Sequence, residues 1–231
     1  MKTIGLVGGT GWASSIEYYR LINEKVNQKL GGLNYASCIL YSFNYADVDA
    51  LQKQNDDEGL YSLVADAARK LILSGADGIA LCANTLHMFA DRLPMEINVP
   101  IIHIAEATAR QIRKRAFQKV ALLGTKATME MDFYKDKLGN QGIETLIPKE
   151  ADRNFIQKTI LEELFNNDFR KKSRDRFLSI ITELQHDGAQ AAILGCTEIP
   201  LLVKQNDTTV PLLDTLQIHA QAIVDFMIEE K

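Results

Sequence analysis

The sequence predicts an α/β protein made of two similar, pseudo-symmetric units, each with a four-stranded parallel sheet and flanking helices. Three observations predict it. Short apolar runs alternate with longer segments of helical periodicity, an order that builds parallel sheets covered by helices on both faces. A stretch of the first half recurs, in the same order, in the second. The 231 residues are 46% hydrophobic and 24% charged, which is enough apolar material for one large domain or two small ones and too much for a disordered chain.

The elements follow in order. Residues 3–7 (TIGLV) are a strand closed by Gly8-Gly9-Thr10-Gly11. Residues 14–30 carry Ile16, Tyr19, Ile22, Val26 and Leu30 at three- and four-residue spacing, which predicts a helix that Gly31-Gly32 stops. Residues 37–41 (SCILY) are the second strand, 61–74 a helix ended by Gly75, 78–83 (GIALCA) the third strand, and 101–104, after Pro100, a short fourth. In the second half, 120–123, 143–147, 191–195 and 212–213 read as strands, with helices over about 129–138, 151–166 and 174–186 between them.

The repeat is gap-free where it is strongest. Gly75-Ala76-Asp77-Gly78-Ile79-Ala80-Leu81-Cys82-Ala83-Asn84-Thr85 aligns with Gly188-Ala189-Gln190-Ala191-Ala192-Ile193-Leu194-Gly195-Cys196-Thr197-Glu198 at an offset of 113. Val99-Pro100-Ile101-Ile102-His103 aligns with Val210-Pro211-Leu212-Leu213-Asp214 at 111, and Leu6-Val7-Gly8 with Leu122-Leu123-Gly124 at 116. This divides the chain into a first half, 1–100 plus 211–231, and a second half, 101–210.

Several function classes are excluded. Lys and Arg number 26 and Asp and Glu 30, a net charge of −4 with no basic face, so nucleic acid is not an expected partner. No apolar run approaches the ~18 residues of a membrane span. The start MKTIGLVGG runs directly into a strand without a secretory apolar region, and three cysteines without a CxxC pair argue against disulfides and structural zinc. The expectation is a cytoplasmic protein with reduced thiols. No His/Cys/Asp set has metal-ligand spacing, so no metal is expected. Gly9-Thr10-Gly11 gives G-x-G after a strand, but Ser14 stands at the third glycine's place and the second strand ends Leu40-Tyr41-Ser42 without a ribose-binding acid; no phosphate-cradling loop is present either. Arg170-Lys171-Lys172 reads as a solvated charge run.

In open parallel sheets, ligands sit beyond the carboxyl ends of the strands. Those positions are Gly8-Gly9-Thr10-Gly11, Ala83-Asn84-Thr85, Gly124-Thr125-Lys126-Ala127-Thr128 and Cys196-Thr197-Glu198. They are small, polar and rich in hydroxyls, amides and backbone N–H groups, which suits a carboxylate ligand at helix N-termini. Taken singly, a Thr or Gly in such a turn is a cap; two pseudo-symmetric halves facing each other would bring all four sets into one cleft.

Ile4-Gly5-Leu6-Val7-Gly8-Gly9-Thr10-Gly11, Asn84-Thr85-Leu86-His87, Leu122-Leu123-Gly124-Thr125 and Gly195-Cys196-Thr197-Glu198 resemble the aspartate/glutamate racemase family, most closely its bacterial broad-specificity and aspartate/glutamate amino-acid racemases. The resemblance runs from the first strand to the last helix. It implies two flavodoxin-like halves with the active site between them, a homodimer, an amino acid or dicarboxylate as ligand, and an isomerase that needs no pyridoxal phosphate or other cofactor. In the family one cysteine from each half flanks the substrate Cα; one thiolate removes the α-proton and the opposite thiol returns a proton on the other face. Thiols suit this because a free Cys titrates near ~8.5 and a nearby helix N-terminus or cation lowers that, so thiol and thiolate coexist near neutrality. Fixed donors around the carboxylate would stabilise the carbanion.

The sequence departs from the family at one base. Cys196 directly precedes Thr197-Glu198 and stands at the family's second cysteine, whereas Asn84-Thr85 is preceded by Ala83, and the internal repeat also pairs Cys196 with Ala83. Cys82 pairs with Gly195, and since neighbouring strand side chains point to opposite faces, Cys82 is expected to point into the helix-packed side unless a bulge shifts it. Cys38, in mid-strand, reads as structural. One thiol supports half of a two-base mechanism, which leaves three outcomes. The first is a weak or one-sided racemase completed by water or a hydroxyl such as Thr125. The second is a single-cysteine reaction, similar to arylmalonate decarboxylase of the same superfamily. The third is an amino-acid- or dicarboxylate-binding protein without catalysis.

Asn84, Thr85, Thr125 and Thr197 correspond to the family's positions around the substrate carboxylate, with Gly9, Thr10 and Thr128 as further candidates. Glu198 would accept the substrate ammonium or polarise Cys196; otherwise it is a first-turn acid favoured by the helix dipole. Family aspartate racemases often carry an Arg in the loop after the second strand. Here that loop, 44–53, has none, and Gln52 or Lys53 would substitute, which leaves room for neutral amino acids. His87, His103 and His219 read as structural hydrogen-bonding residues, and His186 as solvated.

Overall fold

The structure is a computed structural model describing residues 1–229. The chain divides into two compact units: Met1–His103 together with the segment from His219 onward, and Ile104–Ile218. The stretch from 211 to 218 therefore sits with the second unit and 101–103 with the first. The reason is strand pairing, given below.

In the first unit, β1 (Ile4–Gly8), α1 (Trp12–Leu30), β2 (Cys38–Ser42), α2 (Tyr45–Lys53), α3 (Asp57–Leu73) and β3 (Gly78–Leu81) are followed by 3₁₀ turns at Thr85–Phe89 and Leu93–Met95. The sheet is parallel with order β2-β1-β3. The expected fourth strand is reduced to one parallel bridge, Ile79 to Ile101. Only Ile79 N to the Pro100 carbonyl (2.9 Å) and Ile102 N to the Ile79 carbonyl (2.8 Å) form there, whereas the equivalent Leu212–Asp214, also after a proline and before a helix, pairs as a strand. The segment read as a loop after β2 contains α2. The helix α3 begins earlier than the apolar pattern suggests because Asp56 accepts from Gly59 N at 2.8 Å and caps it.

The second unit contains α4 (Ile104–Lys114), β4 (Lys119–Gly124), α5 (Lys126–Glu130), α6 (Asp132–Gly139), β5 (Glu144–Leu146), α7 (Glu150–Glu162), α8 (Lys171–His186), β6 (Ala192–Gly195), α9 (Ile199–Leu202), β7 (Leu212–Asp214) and the start of α10 (Thr215–Ile228). Its sheet is parallel with four strands, order β5-β4-β6-β7. The single helix expected over 129–138 is two, broken at Met131 in extended backbone (φ −75°, ψ 157°), where Lys135 Nζ caps the Glu130 carbonyl at 2.8 Å. The helix expected to run to 166 gives way after Glu162 to a 3₁₀ turn, Leu164–Asn166.

The repeat is a repeat of register. Gly5, Leu6 and Val7 pair with Ile79, Ala80 and Leu81, and their counterparts Ala121, Leu122 and Leu123 pair with Ala192, Ile193 and Leu194. Ile79 N donates to the Pro100 carbonyl and Ala192 N to the Pro211 carbonyl, each at 2.9 Å. Gly75 and Gly188, at φ +98° and +101°, end α3 and α8 in the left-handed region that side chains disfavour. The next residue folds back in both: Ala76 N to the Leu71 carbonyl at 3.1 Å, and Ala189 N to the Leu184 carbonyl at 2.9 Å.

Each unit has its own core. In the first, Leu60, Val64, Ala68 and Leu71 of α3 pack on Val7, Ile79 and Leu81. Gly5 permits this close approach, since a Cβ there would lie 3.0 Å from Leu71 Cβ. In the second, Ile156, Ile160, Phe177 and Ile181 pack on one face of the sheet, and Ile104, Ile112, Tyr134 and Leu138 on the other. Each fully buried aliphatic or aromatic side chain contributes roughly 1.5–3 kcal/mol. The buried Asp152 pairs with Arg176 and ties α7 to α8. Among the described residues no helix is long and apolar enough to cross a membrane.

Candidate active site

The loops at the carboxyl ends of the strands hold most of the polar groups singled out by sequence, and the structure sorts them by what they already bind. In the first unit β1 runs into Gly8-Gly9. Gly9 sits at φ +92°, and a Cβ there would lie 2.2 Å from Phe43 N, so only glycine fits. Its N–H donates to Ser15 Oγ at 3.0 Å. The Gly9 amide is thus spent inside the fold rather than offered to a ligand, and Thr10 beside it is half-buried. Ser15, which no sequence pattern marked, is the residue that holds this turn.

After β3 the chain bends. Cys82 N still donates to the Val7 carbonyl at 2.8 Å, but the strand ends at Leu81, so residues 82 and 83 lie just past it. Cys82 is 2% exposed, and burial, with Cys38 adding to it, pushes its thiol well up, so it stays protonated and inert. Ala83 next to it is half-buried and packs against the core of the first unit. Cys38, in β2, is half-buried and its thiol is also raised by burial. Asn84 is buried and Thr85 half-buried at the start of the 3₁₀ turn. Gln52 and Lys53 lie on the exposed last turn of α2, roughly 10 Å along the helix from its first residue. Lys53 is paired with Asp49 at 2.6 Å. The segment read as a loop is helical, and both side chains are exposed on it.

In the second unit, Thr125 is the N-cap of α5: its Oγ1 accepts from Thr128 N at 3.3 Å and lies 3.1 Å from Thr128 Oγ1. Thr128 is fully buried, and its side chain fills the space over Gly124 and Gly195, 3.1 Å from where either Cβ would stand. It braces the turn from beneath. The same crowding explains Gly195, the repeat partner of Cys82: its Cβ would meet the Leu123 carbonyl at 2.9 Å.

Cys196 follows β6 and is 7% exposed. Its Sγ donates to Glu198 Oε2 at 3.0 Å, and Thr197 Oγ1 donates to the same oxygen at 2.8 Å. Glu198, at the N-cap of α9, makes no cap bond with its side chain; the carboxylate turns back to the thiol. Burial raises the Cys196 thiol well above its ordinary value, and the Glu198 charge and hydrogen bond raise it further. This corrects the expectation of a thiol lowered by a helix N-terminus or cation: the carboxylate outweighs the backbone N–H groups of Thr197 and Glu198 that pull the other way. Cys196 rests as a thiol with a proton acceptor in contact.

The three histidines read as separate structural residues converge in the first unit. The His87 ring lies 4.7 Å from that of His103 and 5.4 Å from that of His219. Sequence spacing of 16 and 116 residues carries no sign of this. Arg170, Lys171 and His186 are exposed, as read from sequence, with Arg170 on Asp168 and Lys171 on Asp175. Among the described residues no group of three His, Cys, Asp or Glu is arranged to hold a metal ion.

Comparison with known proteins places these features in context. A family model described as Asp/Glu/hydantoin racemase matches residues 7–223. The broad-specificity amino-acid racemase RacX of Bacillus subtilis (strain 168) is 25% identical over 228 residues, covering 96% of either chain. Among solved structures, a candidate Asp/Glu racemase from Yersinia pestis is 42% identical with a TM-score of 0.94, covering 99% of this chain and all of that one. An aspartate racemase homologue from Pyrococcus horikoshii OT3 is 35% identical with a TM-score of 0.87 over the same shares.

Proposed function

Because the chain belongs to the Asp/Glu/hydantoin racemase family, and with it to the amino-acid racemases among the isomerases, we propose that it exchanges the α-proton of an amino acid through a single thiol, Cys196, acting with Glu198. The observation that carries this reading is the 3.0 Å hydrogen bond from Cys196 Sγ to Glu198 Oε2 at the end of β6. Glu198 takes the thiol proton, and the thiolate removes the Cα proton. The electron pair of the C–H bond passes into the substrate carboxylate, which the Thr197, Asn84 and Thr85 groups hold. Reprotonation from Cys196 restores the starting enantiomer. Reprotonation on the opposite face, where residue 83 offers only a methyl, comes from water and inverts the centre; the hydroxide formed takes the proton from Glu198, and Cys196, now carrying the Cα proton, is again a thiol beside a carboxylate. The reaction is therefore faster from the enantiomer whose α-proton faces Cys196. No cofactor enters these steps. The ligand is an amino acid, acidic or neutral, since the one cation of α2, Lys53, is already paired with Asp49. The protein is cytoplasmic and works as a homodimer.

A second reading is favoured by the resting state of Cys196 as a buried, protonated thiol. Such a thiol could donate its proton to a carbanion left when a substituted malonate loses CO₂. The C–C bond breaks, the pair stays on Cα, and the Cys196 proton forms the new C–H bond.

The test is a panel of L- and D-amino acids, each incubated separately in heavy water and read by chiral chromatography and by Cα–deuterium content, with Cys196→Ala as control. Deuterium should enter one enantiomer faster and none should enter with the variant. Equal exchange from both enantiomers that survives Cys196→Ala rejects the reading. Binding without exchange leaves a binding protein, and CO₂ release from a malonate selects the second reading.

A further inference from the structure

We infer that His87 is a positioning residue for the 82–83 bend: by clamping the Ala83 carbonyl it keeps the Cys82 thiol buried in the core.

The β-ladder controls this bend only on one side. Cys82 N is fixed by the Val7 carbonyl at 2.8 Å, and beyond it the strand has ended. On the other side the Ala83 carbonyl is held by His87 Nδ1 at 3.0 Å, and His87 N donates to the Asn84 carbonyl at 3.1 Å. Two clamps, one before and one after, thus bracket residues 82 and 83. Loss of the second clamp would free the Ala83 peptide to turn and would open a path from solvent to the Cys82 thiol.

The His87 ring is itself held. It is 1% exposed and packs against His103 and, edge-on, against His219. His219 Nε2 donates to the Ile102 carbonyl at 2.6 Å, which leaves its Nδ1 to accept from Tyr18 Oη at 2.8 Å. The Ile102 carbonyl, which takes the bond from His219, also lies beside His87, with a smaller effect on it than the Ala83 carbonyl. A neutral His87 has one N–H to give, and the Ala83 carbonyl is its acceptor. Burial and the neighbouring His103 hold His87 neutral. The second unit has no such device: its counterpart of His87 is Pro200, and there the inward position is Gly195, with no side chain to misplace.

The experiment reads thiols rather than turnover, so it stands apart from the proposed reaction. The native protein and His87→Phe and His87→Asn variants are treated with iodoacetamide, and alkylation of Cys38, Cys82 and Cys196 is resolved by peptide mass spectrometry. His87→Phe keeps ring volume and loses the donor; His87→Asn keeps a donor at the Nδ1 position. Cys82 should label about tenfold faster or more in His87→Phe, with Cys38 and Cys196 unchanged, and His87→Asn should restore slow labelling. Cys82 remaining unreactive in His87→Phe, or all three thiols rising together, overturns the inference. If His87→Phe does not fold, long-range ¹H–¹⁵N spectra of the native protein decide. A proton on Nδ1 of His87 supports the clamp, and a proton on Nε2 overturns it.

Discussion

The Cys196 thiol donates to Glu198 Oε2 across 3.0 Å, onto an oxygen that the Thr197 hydroxyl also reaches at 2.8 Å. A base and its proton donor are therefore in contact before any substrate arrives, and the carboxylate that raises the thiol is the same group that can relieve it of its proton.

Replacing that charge separates the two effects. Glu198→Gln removes the negative charge that pushes the thiol up, so the pH at which Cys196 alkylates should move down. The amide cannot accept the proton, so Cα–deuterium exchange should fall about 10²-fold or more. Iodoacetamide labelling against pH, beside exchange rates, measures both. A labelling midpoint that stays or rises would break the link between the two residues.

Supplying the missing thiol tests residue 83 from the side of function. Ala83→Cys should raise racemisation in both directions by roughly tenfold or more and narrow the difference between enantiomers. Chiral chromatography from L and D substrate reads it. A folded variant with no gain in either direction argues against residue 83 as the first base position.

The turn after β1 should be the more fragile of two left-handed glycines. Gly9→Ala places a Cβ 2.2 Å from Phe43 N at φ +92°, whereas Gly75→Ala meets nothing within 4 Å at φ +98°. Gly75→Ala should cost about 1–2 kcal/mol, and Gly9→Ala clearly more, from backbone displacement added to the same strain. At about 2–4 °C per kcal/mol, thermal melts distinguish them. Equal melting points would mean that the Phe43 backbone yields freely.

Acid should destabilise the first unit through His87. Its folded-state value is about 3, pushed down by burial and then by His103, against 6.5 for the free side chain. The unfolded chain therefore binds the extra proton between these values. Stability is intact above about pH 6.5 and falls as pH drops towards 3, by up to about 1.4 kcal/mol per unit. Urea midpoints of the native protein and His87→Asn over that range should converge at low pH. A gap between them that does not change with pH counts against a neutral buried His87.

Much of this was legible in the chain. The alternation of runs located β1 to β7 within a residue or two, and the repeat of Gly-Ala, apolar strand and small polar turn proved to be a repeat of hydrogen-bond register, from Gly5 with Ile79 to Ala121 with Ala192. The inward phase of Cys82 followed from its pairing with Gly195. These signals are local: a strand period and a glycine at positive φ. The elements that were missed also have local causes that periodicity does not see, such as α2 in the segment 44–53 and the break of the helix at Met131.

The sequence by itself determined the two α/β units, the turns that end their strands, and the single thiol before Thr197-Glu198. Only the tertiary structure decided which polar groups those turns consume. Gly9 N–H goes to Ser15, Thr128 lies beneath Gly124 and Gly195, Glu198 turns to Cys196 rather than capping its helix, and three histidines far apart in the chain meet, with His87 on the Ala83 carbonyl and His219 on that of Ile102. Hydrogen-bond partners are chosen by proximity after packing, so residues distant in sequence compete for one donor or acceptor, and no spacing rule records which of them wins.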